Sequence, residues 1–495
     1  KYNVGLNISI RSCEHRRRLN NSREYNCHGK SLPNYQFPFS EWPQRNSVKQ
    51  PSDELIDTTE QSVPEALPPH KKIENENDKK EDELEEQKVD VEDIPVIIPK
   101  TARNEGERVN YTGAQVWQIP TNKSNTRAVL TRLRRRNLIS TWGGNQSSID
   151  VLVKSDAIKN VTRALKRENI PHITLIEDLQ KRIDEENPPL DENELLLQDR
   201  RGHRLTWKQY HRLEDIYGFV DYLAKTYPSI ISVNTIGKSY EGRDLKVLRI
   251  SDGKSTNKAV FIDGGIHARE WISPATVTYF INQFAENFDV ESDDIKNIDW
   301  YFVPVLNPDG YEYTHTGDRL WRKNRKPGIP TRACAGTDLN RNFGRYRWGG
   351  RGASSNPCSE IYRGSKAFSE PETKAVAVTY LTYHSYGQYI LYPWGYENAV
   401  PPDYKDLDAV GKKMAEAIQK TGGSQYKVGS SSGLLYPAAG GSDDWAKGQG
   451  IKYAYTIELS DTGRYGFILP TTYIEPVARE SLAGLRVLAG VIHNS

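Results

Sequence analysis

At 495 residues the chain is long enough for about three folded units. Hydrophobic content of 36% and a mean hydropathy of −0.72 are low for a globular enzyme, and the N-terminal fifth lowers the average. A net charge of +2 implies no nucleic-acid partner, and the absence of any run of 18 apolar residues leaves no spanning helix and no membrane partner. Lys1 opens the chain and Met414 is its only methionine, so an initiator, with a secretory leader, is expected to have been removed or to be missing from this sequence.

Residues 1–104 read as an N-terminal extension. Up to about Gln50 it mixes basic residues with prolines and aromatics and carries no functional signature. From Lys71 to Asp93 it holds eleven acids and five lysines with almost no apolar side chains, the composition of a solvated, disordered linker. Cys13 and Cys27 form a candidate pair only because their number is even. Sequons at Asn7, Asn20, Asn110, Asn122, Asn145 and Asn160 precede the larger C-terminal unit. Six sequons with an even number of cysteines favour the secretory route, with a vacuolar location as the alternative.

Residues 105–186 alternate strand and helix signals. Ala114–Ile119 reads as a strand, Thr126–Leu133 as a helix, Ile149–Val153 as a strand, Ala157–Arg167 as a helix and His172–Ile176 as a strand. These five segments suit the strand–helix–strand–strand–helix–strand order of an open α/β sandwich, with one strand of it not located. A connecting segment, 187–204, follows and contains Arg200-Arg201, a dibasic processing candidate.

The last unit, 205–495, opens with Trp207–Val220, whose apolar spacing is helical. His211 and Glu214 on it are expected to form an i,i+3 surface pair. The apolar run Ala259–Ile266 reads as a buried strand that delivers His267-Ala-Arg-Glu270 to a loop. Val378–His384 reads as a second strand, ending in another imidazole. Two histidines and one carboxylate make a three-ligand zinc set with one position left open, the pattern of a catalytic site. Ligands at strand ends suit the carboxyl edge of an α/β sheet.

Eight segments, those of the two histidine motifs among them, appear in one order: Tyr240-Glu-Gly-Arg243, His267–Trp271, Leu306–Tyr311, Arg319–Lys323, Asp338–Asn342, His384–Tyr386, Tyr436–Trp445 and Glu458–Phe467. On these motifs, the chain from Thr206 to about His493 resembles the zinc metallocarboxypeptidases of the pancreatic carboxypeptidase A/B family. The resemblance implies an α/β fold with a mixed, twisted eight-stranded sheet flanked by helices. Residues 105–186 resemble the family's activation domain, which implies a zymogen opened by an activating protease, with a cut after Arg201. It implies one zinc ion held by His267, Glu270 and His384, Glu458 as general base and Arg322 as the cation stabilising the developing oxyanion. Arg341 would grip the free α-carboxylate with two parallel hydrogen bonds, Asn340 would add a donor, and Tyr436 would close over the substrate. Arg269 and Tyr386 would contact substrate residues. Asp443 falls where B-type members carry the pocket aspartate, which implies removal of C-terminal lysine or arginine, with Ser431 and Gly395 leaving room for a long side chain. Cys334 and Cys358 match a family disulfide, whose ring would contribute roughly 3–4 kcal/mol in the chain-entropy model.

In one place the chain departs from the resemblance. Ser369-Glu-Pro-Glu-Thr-Lys374 starts a helix, with Ser369 as the expected cap. Only Ala375–Tyr383 separates it from His384, about ten residues fewer than in relatives, so either the helix is truncated to about one turn or a coding segment is missing from this sequence. Two readings follow. The first is a secreted, monomeric exopeptidase acting on peptide or protein C-termini; the second is a non-catalytic homologue of the same fold with a binding or cell-wall role.

Overall fold

The computed structural model describes residues 108–200, 202–328, 334–344, 347–376 and 381–495. The N-terminal extension, with Cys13, Cys27 and the acidic run, lies outside them, as do Arg201 and residues 378–380 of the expected second strand.

The first sheet has four antiparallel strands in the order β2-β3-β1-β4. They are β1 (Gln115–Pro120), β2 (Ile139–Gly144), β3 (Ser148–Val153) and β4 (Ile173–Ile176). Helices α1 (Thr126–Arg135) and α2 (Ile158–Arg167) pack against it through Val129, Leu130, Leu133, Val161 and Leu165. Each helix buries one stripe at helical spacing, and Trp117, Ile119 and Val151 of the sheet meet it. Strand β2 is the element the sequence reading leaves unplaced; it closes on Gly143-Gly144, residues of low β propensity. A short helix, α3 (Leu179–Glu186), capped by the Asp178 carboxylate on the Lys181 amide, closes this unit; α4 (Glu192–Arg200) follows.

The second sheet is mixed, eight-stranded and ordered β11-β10-β12-β9-β7-β8-β6-β5. Its strands are β5 (Ile231–Lys238), β6 (Asp244–Ile250), β7 (Lys258–Gly264), β8 (Ile298–Val303), β9 (Leu381–Ser385), β10 (Tyr389–Tyr392), β11 (Lys427–Ser430) and β12 (Tyr455–Leu459). The central parallel strands β7, β9 and β12 are largely buried, as strands covered on both faces are. One face packs on α5 (Leu213–Thr226), α6 (Ile272–Asn287) and α11 (Ile474–His493), joining Phe219, Phe280, Phe284 and Trp300 in one core. The other face gathers Val247, Val303, Leu339, Phe343 and Trp445. Between them in chain order come α7 (Pro308–Thr316), α8 (Pro371–Ala375), α9 (Tyr404–Gly422) and α10 (Ser442–Gly448).

Two local expectations are corrected. Helix α5 begins at Leu213, so His211 is not on it: its imidazole is buried, accepts from the Thr206 amide at 2.8 Å and lies 3.5 Å from Asp215, not from Glu214. Ser369 does not cap α8 either. Glu370 occupies that position without a side-chain cap, and the Ser369 hydroxyl donates instead to the Glu370 carboxylate at 2.6 Å. The helix is a single turn of five residues, yet β9 takes its full place between β7 and β12.

Candidate metal centre and substrate cleft

Strand β7 stops at Gly264, and Gly265 turns the chain at φ +66°, where a Cβ would also stand 2.9 Å from the Pro274 ring. The turn delivers His267 and Glu270 just beyond the strand end. Strand β9 carries His384, and β12 runs parallel to it with Glu458 in register with His384. The centre therefore sits at the carboxyl ends of three adjacent strands in the middle of the sheet.

His267, Glu270 and His384 are buried, and one ligand atom from each lies within 4.8 Å of the others. His384 Nδ1 is 3.0 Å from His267 Nδ1 and 3.1 Å from Glu270 Oε2. Two imidazole nitrogens facing a carboxylate in this way present converging lone pairs, the donor set that a divalent cation satisfies. Asp338 lies 3.2 Å from His267 Nε2, so its carboxylate can hold that nitrogen protonated and leave Nδ1 bare for the metal. Burial pushes the Glu270 carboxyl up, but the two imidazoles outweigh it and hold the group ionised. Burial likewise opposes ionisation of Asp338, and Arg322, Arg341 and His267 together hold it well below the usual carboxylate range.

Around this centre a cavity of about 160 Å³ is lined by Arg269, Arg322, Asn340, Arg341, Tyr386, Tyr436, Asp443 and Glu458. Arg322 donates to Asp338 at 2.9 and 3.1 Å and reaches within 3.9 Å of Glu270. Arg341 is fixed by the Gly352 and Asn340 carbonyls, at 2.9 and 2.6 Å. Tyr436 is half exposed at the rim. Arg269 is buried and stacks 4.1 Å from the Phe467 ring centre. Asp443 is buried on α10, where it accepts from the Ser431 hydroxyl at 3.0 Å; its neighbour Asp444 accepts from the Gly395 and Tyr396 amides at 2.7 and 2.9 Å. Burial, then Glu270, pushes the Glu458 carboxyl upward. The Cys334–Cys358 disulfide closes the loop bearing Asp338, Asn340 and Arg341, with a Cα–Cα distance of 4.2 Å.

The family description zinc carboxypeptidase matches residues 216–484, and the description carboxypeptidase activation peptide matches residues 117–186. The chain belongs to the zinc carboxypeptidase family. It is 45% identical to carboxypeptidase B of Astacus astacus over 59% of this chain and 99% of that one. Carboxypeptidase A1 of Bos taurus is 39% identical over 70% of this chain and 85% of its own. The crystal structure of thrombin activatable fibrinolysis inhibitor superposes with a TM-score of 0.70 at 35% identity, covering 78% of this chain and all of that one. This carboxypeptidase is thus a zymogen with an intact His267–Glu270–His384 zinc site, acting on peptides after its activation peptide is removed.

The activation sheet lies against the carboxypeptidase cleft. Trp142, Gly143 and Gly144 line the same cavity as the zinc ligands. The Tyr386 hydroxyl donates to the buried Asp150 carboxylate at 2.7 Å, and Trp142 packs 5.2 Å from Phe467. Asn145 donates to the Tyr389 hydroxyl at 3.3 Å. Arg319 donates twice to Glu186 of α3, at 2.6 and 2.7 Å, with both side chains buried. Sequence reasoning singled out neither Asp150 nor Glu186, since their partners lie 236 and 133 residues away. Asp338 was in reach, because it opens the Asp338–Asn342 motif. Arg200 ends α4, and its neighbour Arg201 lies outside the described residues. No described helix is long and apolar enough to cross a membrane.

Proposed function

We propose that this carboxypeptidase removes C-terminal lysine and arginine from peptides and proteins. The buried Asp443 carboxylate carries the reading: it lines the cavity, where it accepts from two neutral donors, the Ser431 hydroxyl and the Asp444 amide. An apolar substrate side chain would leave that charge buried and unpaired, whereas a lysine or arginine would neutralise it.

When bound at His267, Glu270 and His384, zinc supplies Lewis-acid chemistry, lowering the pKa of a coordinated water toward ~7. Glu458 takes the proton of the attacking water and returns it to the leaving amine, a role suited to a carboxyl raised by its surroundings. Arg322, preorganised by Asp338, stabilises the negative charge that develops on the scissile carbonyl oxygen. Arg341 and Asn340 recognise the terminal carboxylate, Tyr436 closes from the rim, and Arg269 and Tyr386 contact residues upstream of the cleaved bond.

The same reading makes residues 105–186 the activation domain, 187–204 the connector cut after Arg201, and 205–495 the mature enzyme, in a secreted protein. With the activated protein, hippuryl-arginine should be cleaved at least about tenfold faster than hippuryl-phenylalanine, a difference of ~1.4 kcal/mol in transition-state binding. Preference for phenylalanine would sink the specificity, and zinc bound with neither substrate cleaved would point to the non-catalytic homologue.

A further inference from the structure

The outward face of the activation domain carries a charge distribution that catalysis does not use. Helix α1 bears Arg127, Arg132, Arg134 and Arg135, and α2 bears Lys159, Arg163, Lys166 and Arg167. All eight are exposed, and neither helix contains a single aspartate or glutamate. The two helices cover the same face of their sheet and meet where Lys123 and Asn125 contact Asn169 and Glu168. The carboxylates of this unit gather elsewhere, on α3 and its approach from Glu177 to Glu186.

A solvated helix surface ordinarily mixes signs. Basic residues in the last turn complement the helix dipole, which accounts for Arg132, Arg134, Arg135, Lys166 and Arg167. It does not account for the rest. Arg132 and Arg135, Lys159 and Arg163, Arg163 and Lys166, and Arg163 and Arg167 stand three or four positions apart, where like charges repel. Among the described residues, Glu168 is the one carboxylate that pairs with this set, 3.7 Å from Arg132. These like-charge pairs cost local stability.

We propose that this face binds a sulfated polysaccharide. Cations three or four positions apart on a helix stand about 5–6 Å from one another at Cβ, a spacing that a flexible polymer of repeated anionic groups can follow. Neither helix has an aromatic residue on which nucleic-acid bases could stack, and neither exposes a large apolar side chain to enter a lipid surface. Because the face belongs to the activation domain, the precursor is held on the polymer and the mature enzyme leaves it on cleavage.

The test uses the full-length zymogen with Asn160→Gln, so that no glycan stands among the cations. It is eluted from immobilised heparin by a sodium chloride gradient. Replacing Lys159, Arg163, Lys166 and Arg167 by glutamine should lower the eluting salt concentration about twofold, as expected when several cation–anion contacts are lost. Replacing Lys405, Lys412, Lys413 and Lys420 of α9, which removes the same net charge from another exposed face, should leave elution unchanged. A melting temperature at or above that of the parent would show that the first variant is folded. Equal elution of parent and first variant, an equal shift in both variants, or stronger competition by duplex DNA than by heparin of equal charge would each overturn the proposal.

Discussion

Asp338 does more than its position in a polar motif announces. Its two oxygens address two neighbours: one lies 3.2 Å from His267 Nε2, and the other accepts from Arg322. A single carboxylate thus fixes the tautomer of a zinc ligand and aims the cation proposed to stabilise the oxyanion. Asp338→Asn should weaken zinc binding about 10–100-fold, measured by competition with a chelator, while the fold persists. Unchanged affinity would mean that His267 is oriented by packing alone. Glu270 differs in kind. Its burial is tolerated because two imidazoles converge on it, which is why a three-residue spacing acquires meaning only when a third ligand arrives from a distant strand.

At the scale of elements, the single-turn helix α8 anchors itself through two fully buried carboxylates. Glu370 takes Lys326 at 3.0 Å and the Asn324 amide at 2.9 Å. Glu372 accepts from the Asn324 amide and the Tyr240 backbone N–H, both at 3.2 Å, and among the described residues no cation pairs with it. Burial, and then the Glu370 charge, pushes the Glu372 pKa to about 7. The folded state therefore holds a proton that the unfolded chain releases near pH 4.5. Stability from this group is full below pH 4.5 and is lost as pH rises through 7, by about 3 kcal/mol. Glu372→Gln should flatten the fall in unfolding free energy between pH 5 and 8, read by denaturant melts. A variant with the parent's pH slope would place the titration elsewhere.

How far elements were legible follows from the range of the forces that make them. Helix α1 and strands β1 and β3 could be read from their periodicity, and β7 from its apolar run, since burial acts on every residue of each. Strand β2 was lost because its two glycines carry no β signal. They are needed where the hairpin comes against the cleft: a Cβ on Gly143 would stand 2.3 Å from the Tyr386 hydroxyl. The zinc ligands were legible because metal chemistry limits the residue types that can serve. His211 was misplaced, because its helix starts two residues later and the ring turns inward to Thr206 and Asp215.

At the scale of the described molecule, a latch joins the two sheets. Arg319 binds Glu186 through two hydrogen bonds, also donates to the Arg269 and Phe467 carbonyls, and lies flat over Trp271, 3.7 Å from the ring centre. Removing one partner of a buried pair typically costs about 3–5 kcal/mol, because the other charge is left uncompensated. Glu186→Gln should therefore loosen the activation domain and raise hydrolysis of hippuryl-arginine before any cleavage. A variant as silent as the parent would show that latency rests on the Trp142 hairpin alone. Excision has a further effect on the enzyme it releases. Arg319 keeps its two carbonyls and its indole but loses its counter-charge, so a neutral junction in the precursor becomes a positive patch beside the Arg269 and Phe467 wall. Every substrate of an exopeptidase of this kind arrives with a terminal carboxylate. Proteolysis that uncovers the cleft thereby also turns on an electrostatic pull toward it, one that weakens with salt.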